Sequence, residues 1–168
     1  MECGGSIKVE RTMKLYHGSC TEIREPLVRV GRKALDFGPG FYVTSLKEQA
    51  ERWARRVCVI RNRQTPTLNV YQFDENAFQA EKVRKLSLPY YNQQWLEFIV
   101  ASRRGEKPWE DYDVVEGGVA NDQVIDTVED FYAGRITVDR ALGLLRFAKP
   151  THQMCILNQE VVDKYLSF

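Results

Sequence analysis

The sequence predicts an α+β fold in one domain, and three observations support this prediction. Short segments of strand character alternate irregularly with amphipathic helices, which favours small sheets over a regular doubly wound repeat. Neither of the two common phosphate-binding loops, G-x-G-x-x-G and G-x-x-x-x-G-K-[ST], is present. The 168 residues suffice for one hydrophobic core and contain no repeat or linker. We expect a flexible leader at 1–12 and the domain at 13–168.

The first half of the chain contains three or four predicted strands and one helix. Ser45 and Glu48 have the spacing of a capping box, which predicts a helix from 46 to 57. Apolar residues recur in it at helical spacing and are expected to face the core: Leu46, Ala50, Trp53, Ala54 and Val57. Strands are predicted at 13–19, 40–45, 67–74 and, more weakly, 82–88.

The second half of the chain contains most of the helices. Thr137 and Asn158 are predicted N-caps, and Gly134 is a predicted helix stop. Helices are predicted at 92–104, 121–134, 137–148 and 159–166, and strands at 112–120 and 152–158.

Composition excludes several classes of protein. The net charge of +1 gives no overall attraction to nucleic acid or membrane, although Arg52, Arg55, Arg56, Arg61 and Arg63 form a local basic run. That run is ordinarily a solvated helix face and loop, with a nucleic-acid contact as the alternative. No apolar stretch has the length of a membrane span, and no secretory signal precedes the domain.

The four cysteines lack the paired spacing of zinc ligands, so no metal site is predicted. Cys58 and Cys155 lie in apolar runs and are predicted to be buried thiols. A reducing, cytoplasmic setting follows from this pattern.

Two short motifs contain the residues best suited to bind a ligand. His17 ends a predicted strand and is followed by Gly18, whose backbone a ligand can approach closely, and by Ser19. Phe41 and Tyr42 follow a Gly-Pro-Gly turn and face opposite ways in a strand, so that one can be core while the other lines a cleft. An aromatic face of this kind suits a planar ring.

"LYHGS" followed by "GPGFYVTS" resembles the first two motifs of the ADP-ribosyltransferase superfamily, in its diphtheria-toxin and poly(ADP-ribose) polymerase branch. "THQMCILNQEVVDKYLSF" is similar to the third motif. The chain also looks like a bacterial family of uncharacterised domains in that superfamily, through "DFGPGFY", "WLEFI" and "YDVVEGGVAND". The resemblance covers residues 13–168 and implies two small packed sheets that form an NAD cleft, with peripheral helices.

The resemblance implies a role for each matching residue. His17 would orient a ribose hydroxyl of NAD, Gly18 would hold the nicotinamide carboxamide through its backbone, and Tyr42 would stack on the nicotinamide ring. Gln153 would bond the adjoining ribose, which makes His17, Tyr42 and Gln153 the implied catalytic set. The implied NAD-binding set adds further residues: Ser19, Arg32, Phe41 and Gln49. Arg29 and Arg32 are expected near the pyrophosphate.

Gln153 departs from the family, where a glutamate usually stands. A carboxylate stabilises developing positive charge, whereas an amide only hydrogen-bonds. Poly(ADP-ribose) chain growth is therefore not expected. Glu116 and Asp122 are candidates to supply the missing charge, although Asp122 equally suits a helix N-terminus. Asp36 is a secondary candidate that also suits a backbone bond in the Gly-Pro-Gly turn.

The expected function is mono-ADP-ribosylation of a protein or nucleic-acid acceptor with NAD as co-substrate. The resemblance implies a bacterial toxin or phage-defence setting with an antitoxin as partner. Three alternatives stay open: an inactive or weak NAD- or ADP-ribose-binding module, an NAD glycohydrolase, and an RNA phosphate transferase.

Overall fold

The computed structural model describes residues 11–30 and 36–168, so most of the predicted leader, and Arg32, lie outside the described residues. Within those ranges the protein is an α+β domain. Its strands are β1 (Thr12–Ser19), β2 (Phe41–Val43), β3 (Thr67–Asp74), β4 (Lys85–Leu88), β5 (Val114–Gly117), β6 (Gln153–Ile156) and β7 (Leu166–Ser167). Its α-helices are α1 (Lys47–Ile60), α2 (Gln93–Arg103), α3 (Ile125–Tyr132), α4 (Val138–Leu145) and α5 (Gln159–Tyr165). Two 3-10 turns lie at Val28–Val30 and Glu75–Gln79.

The strands form two small sheets that meet edge to edge. The first sheet has the order β1-β3-β7 and the second the order β2-β6-β5-β4. All neighbours are antiparallel except β4 and β5, which are parallel. Tyr16 of β1 and Thr44 after β2 exchange two backbone hydrogen bonds of 2.8 and 2.9 Å. The edges of β1 and β2 are therefore joined at this bridge.

Strand alternation separates two hydrophobic cores. Phe41 and Val43 face the core that contains Leu15 and the α5 residues Val161 and Val162. Tyr42 lies between them and faces the opposite side. There it packs with buried residues of helices α2, α3 and α4 and of the second sheet: Trp95, Val128, Ala141, Val115 and Cys155.

Helix α1 covers the first sheet on the same side as α2–α4 cover the second. Partners in an antiparallel bridge point their side chains to one face, so Tyr16 and Gly18 share the face of Thr44 and Tyr42. At Gly18 that face is in contact with α1, through Ala50 and Ala54. The junction of β1 and β2 thus lies between α1 and the other helices of this face.

Several local predictions are confirmed and others are wrong. The strand at 67–74 and the caps Thr137 and Asn158 are present as predicted. The capping box at Ser45 is wrong, because α1 has Leu46 as its N-cap residue and no side-chain cap bond. Asp122 is not in the first turn of a helix, because α3 begins at Ile125.

The predicted apolar stripe of α1 is correct only in its central part. Ala50, Ala54 and Val57 are buried, but Leu46 and Trp53 are 41% and 44% exposed. The side of α1 that packs on β1 and β3 is narrower than the predicted stripe, and Leu46 and Trp53 lie outside it. Trp53 therefore belongs to the protein surface.

The cysteine prediction needs a correction. Cys20 and Cys58 form a disulfide across a sequence separation of 38, so Cys58 is not a free thiol. Cys155 is free and buried, as predicted. The bond removes the argument for a reducing compartment that rested on unpaired thiols.

Among the described residues, no helix is both long and apolar enough to cross a bilayer.

Candidate functional site

His17 connects the two motifs at the junction of β1 and β2. Its Nδ1 lies 2.6 Å from the backbone carbonyl oxygen of Tyr42, and its ring stacks on Phe41 at 4.7 Å between centroids. A carbonyl only accepts, so Nδ1 is protonated and donates. Burial lowers the pKa of His17 against the opposing effect of the Tyr42 bond, and the charge of Arg61 lowers it further. The neutral ring therefore keeps Nε2 as a hydrogen-bond acceptor.

Asn69 fixes the chain that follows His17, a role that the sequence did not reveal. Its Nδ2 donates to the carbonyls of His17 and Thr21 at 3.4 and 3.1 Å, and its Oδ1 accepts from Ile23 N at 2.7 Å. The side chain is fully buried. Only the contact across β1 and β3 reveals it, because nothing near Asn69 in the sequence differs from an ordinary strand.

Gly18 is buried and directs its backbone toward the junction. Tyr16 directs its N–H and C=O toward β2, and every second residue of a strand does the same, so Gly18 directs its own groups to this edge. A Cβ at Gly18 would overlap the carbonyl oxygen of Ala50 and lie 2.7 Å from Ala54 N. Glycine at this position therefore has a packing role, and its binding role stays a prediction.

The side chain of Tyr42 is hydrogen-bonded to the Gly-Pro-Gly turn. Its hydroxyl donates to Gly38 O at 2.7 Å and accepts from Phe37 N at 3.2 Å. Gly38 has φ of +98°, which only glycine adopts easily, and a Cβ there would strike Trp109. Burial raises the pKa of Tyr42, so the hydroxyl stays protonated. The half-buried ring is thereby fixed in orientation.

Gln153 lies on the same face of the second sheet as Tyr42. It is the first residue of β6, pairs with Gly117 of β5, and stands two residues from Cys155, the strand partner of Tyr42. Side chains two apart on a strand share a face. Tyr42 and Gln153 are thus diagonal neighbours on adjacent strands, and burial raises the pKa of the Cys155 thiol opposite Tyr42 to about 12.

His152, which the sequence marked only as a strand start, connects β6 to the β2–α1 turn. Its carbonyl accepts from Thr44 Oγ1 and from Gln49 Nε2, both at 2.7 Å. Its Nδ1 accepts from Ser45 N at 3.1 Å, and its Nε2 lies 3.4 Å from Glu116. The amide nitrogen of Gln49 is therefore already bonded within the protein, while its buried Oε1 has no hydrogen-bond partner among the described residues.

Glu116 does not share the face of Gln153. It pairs with Met154, whose side chain lies in the core of Leu15 and Val43. Its carboxylate is bonded by Lys85 at 2.7 Å and by Ser87 at 3.1 Å, besides His152. Burial alone would raise the pKa of Glu116, but these three partners outweigh burial and lower it to about 2.

We expect Glu116→Gln to remove part of the acid sensitivity of the fold. A carboxyl group whose pKa is lower in the folded than in the unfolded chain stabilises the folded protein at pH values above the unfolded pKa of 4.5. This stabilisation is lost as the pH falls toward 2. The contribution at neutral pH is on the order of 3 kcal/mol. Urea unfolding of both proteins between pH 7 and pH 2 checks this, with Glu97→Gln on the exposed face of α2 as control. Parallel pH profiles for wild type and Glu116→Gln would contradict it.

The remaining predicted residues lie apart from this junction. Asp36 pairs with Arg103 of α2 at 3.0 and 3.3 Å rather than with the backbone of the turn. Asp122 has a 93% exposed side chain, 3.9 Å from Arg56. Ser19 is buried and accepts from Thr21 N at 3.4 Å.

Arg29 lines a different concavity. A cavity of about 460 Å³ lies beside the Gly-Pro-Gly turn, bounded by Arg29, Pro39, Arg84, Trp109 and Tyr112 among others. Among residues 11–30 and 36–168, no group of three His, Cys, Asp or Glu side chains has the arrangement of a metal site.

The described geometry defines a small α+β domain with two edge-joined sheets, in which His17 lies on the Phe41 side of the β1–β2 junction and Tyr42 and Gln153 lie on the other side. Residues 13–168 match the model of a family described as "Protein of unknown function (DUF3990)", and the chain belongs to that family. No curated protein and no solved structure matches the chain.

Proposed function

We propose that this protein is a mono-ADP-ribosyltransferase that uses NAD as co-substrate and binds it at the junction of β1 and β2. The observation that carries the proposal is the 2.6 Å bond from His17 Nδ1 to Tyr42 O. This bond joins the two motifs that resemble the superfamily. It also leaves Nε2 as an acceptor suited to a ribose hydroxyl.

The neighbouring groups suit the nicotinamide end of NAD. A carboxamide needs one donor and one acceptor, and the N–H and C=O of Gly18 at the strand edge supply both. The fixed ring of Tyr42 offers an aromatic surface for the nicotinamide. Gln153, on the same face as Tyr42, would hydrogen-bond the adjoining ribose.

Chemistry at such a site depends on positioning. Transfer breaks the bond between nicotinamide and ribose, releases neutral nicotinamide with the bonding electrons, and joins the ribose carbon to an acceptor that gives up a proton. His17 from the Phe41 side of the junction and Gln153 from the Tyr42 side would contact the sugar, and Gly18 would hold the leaving group, so that the reacting atoms stay aligned. With an amide at 153, orientation contributes more than charge stabilisation.

Gln153 also favours a second candidate, a binding module for NAD or ADP-ribose that turns over slowly or not at all. Glu116 is the obvious carboxylate to replace the family glutamate, but it lies on the other face of the sheet and is bonded to Lys85. A glycohydrolase would use the same residues with water as the acceptor.

The resemblance alone supports a bacterial toxin or phage-defence role and an antitoxin partner. The Cys20–Cys58 bond gives no support to a reducing compartment.

The test is nicotinamide release from NAD by purified protein, with and without cell lysate. Release that requires lysate supports a transferase, and release in buffer alone supports a glycohydrolase. NAD binding without release in either condition would replace the proposal by the binding module.

A further inference from the structure

The second half of α1 and the loop after it are basic. From residue 52 to residue 73 the sequence contains five arginines and no aspartate or glutamate. Arg52, Arg55 and Arg56 lie on α1, and Arg61 and Arg63 follow its last residue. All five side chains are exposed. The first turns of α1 also contain Glu48 and Glu51, so the excess positive charge begins at Arg52 and continues into the loop after the helix.

The three helical arginines share one face and have few internal partners. Arg55 and Arg56 lie three and four residues after Arg52, so all three are neighbours on the helix surface. Like charges at these spacings weaken a helix. Within the described part of the chain, the one ion pair of these three is the 3.9 Å approach of Arg56 to the highly exposed Asp122. The arrangement therefore suits an external anion better than an internal ion-pair network.

Trp53 adds an aromatic surface at the border of this face. Its side chain is 44% exposed, next to Arg52 in sequence and one turn from Arg56. Nucleic-acid bases stack on exposed aromatic rings, and phosphates follow positively charged surfaces. An anionic membrane or an acidic protein would use the arginines but not require the ring.

The same helix adjoins the proposed NAD site. Ala50 and Ala54, on its buried side, contact Gly18. The charge of Arg61 reaches His17, where it helps to lower the pKa of the imidazole. The helical arginines lie on the opposite side of α1 from Ala50 and Ala54, so a strand of nucleic acid on this face would approach the β1–β2 junction at its Arg61 end.

We propose that the basic face, defined as Arg52, Trp53, Arg55, Arg56, Arg61 and Arg63, binds single-stranded nucleic acid and presents it to the junction as the acceptor. The binding of nucleic acid to this face does not depend on the proposed transferase function. The acceptor role rests on the proposed transferase function.

The test is fluorescence anisotropy of a labelled single-stranded oligonucleotide over a salt series. The triple variant Arg52→Ala, Arg55→Ala, Arg56→Ala should bind at least about tenfold more weakly, and the slope of log K against log salt should fall by roughly 2, at about 0.7 per phosphate contact. The matched control removes three exposed arginines elsewhere: Arg135, Arg140 and Arg146. Trp53→Ala should also weaken binding, whereas Tyr132→Ala, similarly exposed at 42%, should not.

Equal losses in the two triple variants, or no binding by wild type, would overturn the inference. Binding to anionic lipid vesicles without binding to the oligonucleotide would overturn it in favour of a membrane surface. Oligonucleotide binding without nicotinamide release would leave this surface intact and remove the transferase. Nicotinamide release without oligonucleotide binding would keep the NAD-cleaving activity and reject this surface as a nucleic-acid site.

Discussion

Replacing His17 by alanine should reduce nicotinamide release by about 100-fold or more, because positioned groups at a reacting centre typically contribute factors of this size. The variant loses the acceptor Nε2 and also the bond that ties β1 to Tyr42 O. The measurement is the initial rate of nicotinamide release at saturating NAD, together with thermal unfolding of each protein.

Lys14→Ala is the control for His17→Ala, since Lys14 is exposed on the same strand. Unchanged turnover in a folded His17→Ala protein would refute the assignment of the site. Tyr42→Ala is a poorer test, because Tyr42 packs in the core and its hydroxyl holds the Phe37–Gly38 turn. Loss of a buried aromatic side chain costs about 3–5 kcal/mol by itself.

The two Gln153 variants should move the rate in opposite directions. Gln153→Ala removes the ribose contact and should lower nicotinamide release by about 10- to 100-fold, in the range expected for one positioned polar group. Gln153→Glu places a carboxylate beside the electron-poor ribose and should raise release by about tenfold or more. Rates at saturating NAD, with NAD affinity measured separately, distinguish chemistry from binding.

Gln93→Ala controls for the loss of a glutamine, because Gln93 is exposed at the start of α2. If Gln153→Ala and Gln153→Glu both retain the wild-type rate, Gln153 does not contact the reacting ribose.

Local features of the fold could be predicted from the sequence where neighbours in the chain determine them. Thr137 caps α4 through Arg140 N, three residues away, and β3 alternates between buried and exposed side chains as its pattern indicates. Ser45 failed as a cap because its backbone N–H and hydroxyl face His152, which is 107 residues distant. Trp53 failed as a core residue because helical spacing does not report how wide a sheet the helix covers.

In the candidate site, too, some features follow from neighbouring residues in the sequence and others depend on the fold. The motifs around His17 and Tyr42 can be read from the sequence, but their joining bond spans the two sheets and is visible only in the fold. Glu116 could be named from the Gly-rich segment, whereas its position on the far face depends on the register of β5 against β6. The structure likewise shows that Gly18 is required for packing against α1.

ADP-ribose transfer is tested most directly with NAD that is labelled in its adenine part. The labelled NAD is incubated with the purified protein and a lysate, and macromolecules are then separated from free nucleotide. We expect covalent label in the macromolecular fraction with wild type and none with His17→Ala. Nuclease-sensitive label would also support the acceptor inferred for the basic face, whereas protease-sensitive label would keep the transferase and reject that acceptor. No label above the His17→Ala level would contradict ADP-ribose transfer by this protein.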